Sequence, residues 1–249
     1  MWFIKRILFK IVGIRCYLKL VRSTFLLAYK SGMLRNKNEY YCHYKVPQFI
    51  NKGDTIIDIG ANLGYYSWIF ARATGKTGVV YAVEPVQLFR DILQNTIKKH
   101  PQVKVLPYAL GDENGKETVM GLPATNKYLS HGRTKIIDSK PDDTYAYEFT
   151  TEMRTPDNLF GDLKKLDYIK CDIEGFEIVV IPQFKSIIEK HKPTIQIETD
   201  GENRNVILQL LLSMDYKAFY IHKNELVPYD QENPPAFSGD LIFRHSVGK

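Results

Sequence analysis

The chain has 249 residues, 44% of them hydrophobic and 25% charged, which suits one soluble α/β domain with a full core and an appendage. Three scattered cysteines, Cys16, Cys42 and Cys171, form no C-x-x-C, so no disulfide framework, zinc knuckle or iron–sulfur centre is implied and a reducing, cytoplasmic setting is expected. The net charge of +6 is uneven: residues 1–38 hold nine basic residues and no acid, leaving 25 basic against 28 acidic residues in the body, which argues against a basic nucleic-acid-binding face.

Residues 1–38 therefore read as an arm ahead of a domain over 39–249. Within the arm, apolar clusters (Trp2-Phe3-Ile4, Ile7-Leu8-Phe9, Phe25-Leu26-Leu27) alternate with single basic residues. The uncharged runs are too short for a spanning helix or a secretory core, and no A-x-A-like cleavage site follows. Arg15, Lys19 and Arg22 fall on one helical face, whereas Arg6 and Lys10 do not, so the amphipathicity is imperfect. Two readings stand: a helix lying on an anionic membrane surface, or one packing its apolar side on the domain or on a second subunit.

The domain opens with Thr55-Ile56-Ile57-Asp58-Ile59, a buried strand, followed by Gly60-Ala61-Asn62-Leu63-Gly64 and a helix to about Thr74. Val79–Val83 is a second buried strand ending in Glu84-Pro85. A helix over Val86–His100 and a third strand from Val103 come next. The turn Ala109–Gly115 leads to a short strand over residues 116–121. Leu122–Thr144 is polar, holds Asn126, Ser130, His131 and Arg133, and reads as a lid. Tyr145–Arg154 alternates as a strand, and Leu166–Asp172 is a fourth buried strand. After it come a helical segment to His191 broken at Pro182, a fifth strand over Pro193–Glu198, a helix over Asn203–Met214, and strands at Tyr216–His222 and Asp240–His245. Strands alternating with helices and closing in a hairpin-like pair predict a Rossmann-like, mostly parallel sheet with one antiparallel edge strand.

In such a sheet ligands bind beyond the carboxyl ends of the strands. Asp58, Glu84, Asp112, Asp172, Glu174 and Glu198 are all expected there. Glu84 is placed to accept the hydroxyls of an adenosine ribose, and the Gly60–Gly64 turn lets a ligand approach the backbone. The turn lacks the third glycine of G-x-G-x-x-G, so a cofactor without a pyrophosphate fits better. S-adenosyl-L-methionine is such a cofactor, with Asp58 reaching toward its methionyl end. Asp172 and Glu174, two residues apart in extended backbone, would face one side. One could take a proton from a substrate hydroxyl while the other orients it, or both could hold a divalent metal, with Glu177 as the third ligand.

Asp58-Ile-Gly-Ala-Asn-Leu-Gly64, Val83-Glu84-Pro85, Ala109-Leu-Gly-Asp112 with Gly115, and Ile169-Lys-Cys-Asp-Ile-Glu-Gly-Phe-Glu177 resemble successive motifs of the FkbM-type methyltransferase family. The resemblance covers residues 40–245. It implies a class I methyltransferase fold, S-adenosyl-L-methionine as donor, and O-methylation of a sugar or small-molecule hydroxyl. By carry-over, Asp58, Gly60, Asn62, Gly64 and Glu84 would line the cofactor, with Asp112 near adenine, and Asp172 and Glu174 would border the transfer site. The family's pattern has a small residue where Phe176 stands.

Three other functions are weighed against this one. A nicotinamide-dependent oxidoreductase is disfavoured by the missing glycine and the lack of a clear Tyr-x-x-x-Lys. A nucleic-acid base methyltransferase lacks an Asn-Pro-Pro-Tyr-like tetrapeptide after the fourth strand. A membrane-associated scaffold would leave the acidic rim idle.

Overall fold

The computed structural model describes residues 2–123, 134–137, 145–199, 201–223, 225–235 and 239–247, with side chains from residue 13 onward except those at 135, 137, 146 and 202. Helix α1 (Trp2–Lys30) is interrupted at Gly13 (φ 73°, ψ 165°), where a left-handed backbone costs glycine little. Beyond that break the helix packs on the domain. Tyr17 and Leu18 are buried with Phe89, Ile92, Met120 and Leu122, and Leu26 is buried with Trp68 and Ile69. Arg15 pairs with Asp91 at 3.0 Å. Domain packing, one of the two readings of the arm, thus holds for its second half. No helix among the described residues is long and apolar enough to cross a membrane.

A short helix α2 (Tyr41–Lys45) leads to β1 (Thr55–Ile59), α3 (Tyr65–Thr74), β2 (Val79–Val83), α4 (Gln87–Thr96) and β3 (Val103–Leu106). Four strands follow that form a separate sheet: β4 (Tyr108–Leu110), β5 (Glu117–Pro123), β6 (Lys135–Ile137) and β7 (Tyr145–Arg154). The chain then returns through α5 (Pro156–Phe160), β8 (Tyr168–Cys171), α6 (Glu177–Gln183), α7 (Lys185–His191), β9 (Thr194–Glu198) and α8 (Gly201–Leu212). It closes with β10 (Tyr216–His222), β11 (Glu225–Pro228) and β12 (Asp240–His245).

The main sheet has the order β11-β10-β12-β9-β8-β1-β2-β3, and β9 through β3 are all parallel. The expected α/β fold with a mostly parallel sheet is what forms, with one difference in detail. Two strands are reversed rather than one: β11 runs antiparallel on β10 as the expected edge strand, and β12 runs antiparallel inside the sheet between β9 and β10. Burial explains the order. Leu241, Ile242 and Phe243 of β12 are fully covered, whereas β10 and β11 keep exposed positions that tolerate an edge.

Alternation along the parallel strands fills both faces, as a helix-covered sheet requires. Ile57, Ile59, Ile169, Ile195 and Ile197 pack under α5–α8. On the opposite face Ile56, Ala82 and Tyr168 pack with Phe70 and Leu93. That second face also carries polar residues inside the core. Asp58 of β1 is in register with Lys170 of β8, which is in register with Gln196 of β9.

The four-stranded sheet, order β4-β7-β5-β6, was not expected as a unit. It brings Met120 and Thr134 to the carboxyl ends of the main strands. The expected lid begins within β5, and its Asn126, Ser130, His131 and Arg133 lie outside the described residues.

Candidate active site

The ends of β1 and β2 form the first half of the site. After Ile59 the chain turns at Gly60 (φ 75°), where a Cβ would fall 2.0 Å from the Asp172 carbonyl oxygen. Only glycine lets the ends of β1 and β8 meet so closely. Asn62 is also left-handed (φ 51°), and this directs its N–H to Glu84, donating to Oε2 at 2.7 Å. The Val86 N–H donates to Glu84 Oε1 at 2.8 Å. Glu84 is therefore locked by two backbone donors at the head of α4. Burial raises its pKa to about 7, and the N–H groups of Val86 and Asn62 work against that rise.

Asp58 and Gly64 occupy supporting places. Asp58 is fully buried and does not line the cavity; Ser67 Oγ of α3 donates to its Oδ2 at 2.6 Å. Its Oδ1 is buried with no hydrogen-bond partner among the described residues. Burial pushes the Asp58 carboxyl up, against the pull of Lys170 and Ser67. Gly64 (φ 84°) caps α3, and a Cβ there would crowd Leu93 and Thr96 of α4.

The ends of β8 and β9 form the second half. Every residue of β8 is buried, including Lys170 at 2% exposure. Its Nζ donates to Asp172 Oδ2 at 2.9 Å and lies 4.9 Å from the centre of the Tyr66 ring. Burial disfavours the ammonium, but Asp172, Asp58 and Asp240 more than offset this and hold Lys170 protonated. Beside it, Tyr168 Oη donates to Gln196 Oε1 at 3.0 Å, and Gln196 Nε2 donates to Tyr66 Oη at 3.1 Å and to Asp240. His43 of α2 stacks on Tyr66 with ring centres 4.3 Å apart. Burial and the nearby Lys170 lower its pKa to about 3, so the imidazole is neutral.

Asp172, Glu174 and Glu198 each place one carboxylate oxygen within 4.8 Å of the others. Burial opposes ionisation of Asp172, yet Lys170 and a hydrogen bond shared with Glu198 bring its carboxyl below the usual range. Glu198, though exposed on one side, moves the other way: desolvation of its carboxyl and the neighbouring Asp172 charge raise its pKa. Glu174 joins the trio by a different route from strand alternation. Strand β8 ends at Cys171, and Glu174 sits in a left-handed turn (φ 57°) that swings it back toward Asp172. Glu177 is not the third member of the group. It is buried, and its Oε1 accepts the Ile173 N–H at 2.7 Å, closing the turn. Glu198 takes that place, so a divalent cation could be held by Asp172, Glu174 and Glu198.

The two halves meet in a cavity of about 200 Å³. Of the expected site residues, Gly60, Asn62, Glu84, Asp172 and Glu174 line it, and so does Glu198. Asp58 lies behind the lining, Gly64 supports α3, and Asp112 is exposed on the loop after β4, outside the lining. Phe176 packs toward the α6–α8 core and does not narrow the cavity. Phe89 and Met120 supply apolar wall that the sequence reading did not assign. Lys170 was missed as well, although a lysine within an otherwise apolar buried strand signals a paired charge.

The residues present fit S-adenosyl-L-methionine. A buried carboxylate at the end of β2 still has lone pairs for ribose hydroxyls, and the Gly60–Asn62 turn opens backbone to the ligand. Residues 58–218 match the methyltransferase FkbM domain. No curated protein sequence matches the chain significantly. Among solved structures, the FkbM methyltransferase from Methylobacillus flagellatus KT superposes with a TM-score of 0.52 at 20% identity, over 77% of this chain and 43% of that one. The S-adenosyl-L-methionine-dependent O-methyltransferase TM0748 from Thermotoga maritima gives 0.47 at 16% identity, over 84% and 65%. This chain thus spans less than two thirds of the length of either protein. The family match covers well over half of the chain and includes both halves of the site, so the chain belongs to the FkbM methyltransferase family.

Proposed function

We propose that the protein is an S-adenosyl-L-methionine-dependent O-methyltransferase acting on a hydroxyl of a sugar, glycan or lipid-linked small molecule. The observation that carries this reading is the Lys170–Asp172–Glu198 arrangement on the cavity wall, where the buried Lys170 ammonium, 2.9 Å from Asp172, favours the ionised form of that carboxyl and the Glu198 carboxyl beside it is pushed the other way. When bound, S-adenosyl-L-methionine supplies an electrophilic methyl carbon on a sulfonium. Glu84 would accept hydrogen bonds from the ribose hydroxyls, and the Gly60–Asn62 turn would hold the donor against backbone.

Asp172 would accept the proton of the acceptor hydroxyl as that oxygen takes the methyl group and the methyl–sulfur bond breaks, leaving S-adenosyl-L-homocysteine. The low pKa of Asp172 makes it a weak base, so the proton leaves while the new bond forms, when the oxygen is becoming acidic, and no free alkoxide precedes transfer. Glu198, whose pKa is raised by desolvation and by the Asp172 charge, would in its protonated form donate a hydrogen bond to Asp172 or to the acceptor. Positioning the acceptor oxygen beside the methyl carbon supplies much of the rate.

A labelled-methyl screen against glycans and lipid-linked sugars, run with the parent and Asp172→Asn proteins, tests the reading. Label on a hydroxyl oxygen with the parent only is the expected result. Label on nitrogen or carbon, or equal labelling by both proteins, overturns it. The carboxylate trio also favours a second reading, in which a divalent metal orients the acceptor oxygen. Transfer abolished by chelator and restored by Mg²⁺ or Mn²⁺ would establish that reading.

A further inference from the structure

The N-terminal helix has two faces with different fates. Tyr17, Leu18 and Leu26 are buried against the domain, so the inner face already has its partner. The outer face does not. Among the described residues few large apolar side chains stand exposed, and three belong to this helix and the turn after it: Leu20 (45% exposed), Leu27 (71%) and Met33 (74%). Leu20 and Leu27 are seven residues apart, on one stripe of the helix. Exposed Lys19 and Lys30 both lie along one side of that stripe, Lys30 with its Nζ 5.0 Å from the centre of the Trp68 ring, and Arg35 and Lys37 follow in the turn. No acid occurs before Glu39.

We infer that this outer face rests on an anionic lipid surface. Leucines on such a stripe enter the boundary between headgroups and acyl chains while exposed basic residues beside it, Lys19 among them, meet anionic headgroups. A second copy of the chain suits the face less well, because a symmetric contact would bring two acid-free basic segments together. The sequence upstream of Gly13 continues the same mixture, with Trp2 and Phe3 beside Lys5 and Arg6.

The helix is also close to the chemistry. Leu18 packs in the same cluster as Phe89 and Met120, and both of those line the cavity. A helix held on the membrane thus holds the cavity there too, which suits an acceptor hydroxyl carried on a lipid-linked molecule. That last step rests on the transferase reading above, whereas the lipid contact rests on the helix alone.

The test is flotation of the full chain with phosphatidylcholine vesicles, with and without phosphatidylglycerol. The parent should float with the anionic vesicles and release as salt rises. Lys19→Glu changes two units of charge and should weaken partition roughly tenfold or more. Lys19→Glu combined with Leu20→Ser and Leu27→Ser should abolish it. All three positions are exposed, so the thermal midpoint and the affinity for S-adenosyl-L-methionine should match the parent's, which shows that the variants fold. A parent that stays unbound, or a triple variant that floats like the parent, overturns the inference. So does a parent that sediments as a dimer while the triple variant is a monomer and neither floats. Cofactor binding without flotation sinks only the membrane contact, whereas flotation by a chain that binds no cofactor sinks the transferase reading and leaves this one standing.

Discussion

At the ends of β1 and β2 the acids are held by uncharged donors: Glu84 by two backbone N–H groups and Asp58 by the Ser67 hydroxyl. At the ends of β8 and β9 charge sets them: the buried Lys170 favours ionisation of Asp172, and the Asp172 charge pushes the neighbouring Glu198 carboxyl up. Neutral donors fix a carboxylate in place and leave it poised to accept further hydrogen bonds, which is what a bound ligand needs. A cation beside one carboxyl, and that carboxyl's charge beside the next, push the pKa values of two similar groups in opposite directions, which suits proton transfer. On the transferase reading proposed above, the difference gives binding to one half of the site and the reaction to the other.

The strongest way to break that division is at Asp172. Asp172→Asn preserves shape and removes the proton acceptor, so turnover should fall roughly 10²- to 10⁴-fold. Affinity for S-adenosyl-L-methionine by calorimetry should stay near the parent's, because the donor is held by the other half. Comparable losses in both measurements would merge the two halves into one.

Lys170→Met probes the charge that separates Asp172 from Glu198. Removing one partner of a buried pair costs about 3 kcal/mol of stability, the lower end of the usual range because Asp172 is partly exposed. Without the ammonium, the Asp172 carboxyl rises toward the range set by burial. The acidic limb of the pH–rate profile should then move to higher pH. Lys170→Arg restores the charge and should return that limb to its place even at a reduced rate. A less stable Lys170→Met enzyme with an unmoved acidic limb would make the lysine a packing element only.

Both halves were unequally legible in the sequence, for a physical reason. The first half is built from consecutive residues: a short buried strand, a glycine turn and a helix start are local patterns, and Gly60, Asn62 and Glu84 follow from them. The second half depends on register between strands far apart in the chain. Lys170 lies next to Asp58 and Gln196 only because β8 enters the sheet between β1 and β9. His43 and Tyr66 reach the same network from two different helices. The expectation for Glu174 was right about proximity and wrong about its cause, since a left-handed turn replaces extended backbone there. The interior place of β12 and the separate β4–β7 sheet likewise depend on long-range pairing that periodicity does not encode.

The mildest test sharpens the binding half. Glu84→Gln removes the charge while keeping a carbonyl oxygen, and should weaken S-adenosyl-L-methionine by about 1–3 kcal/mol, the range for a charged hydrogen bond. A pH dependence goes with it. Glu84 titrates near pH 7 because burial resists its charge, and ribose hydroxyls donate better to the ionised form. Ligand binding therefore favours loss of the proton, and affinity should fall as pH drops through 7. If only the ionised form binds, the loss between pH 8 and pH 6 is up to about tenfold. Calorimetry at both values checks this, and Glu84→Gln, which has no proton to lose there, should show almost no change between them. A parent whose affinity is flat across that range, beside a Glu84→Gln protein that binds as tightly, would move the ribose contact to another residue and leave Glu84 only the task of holding the Asn62 turn.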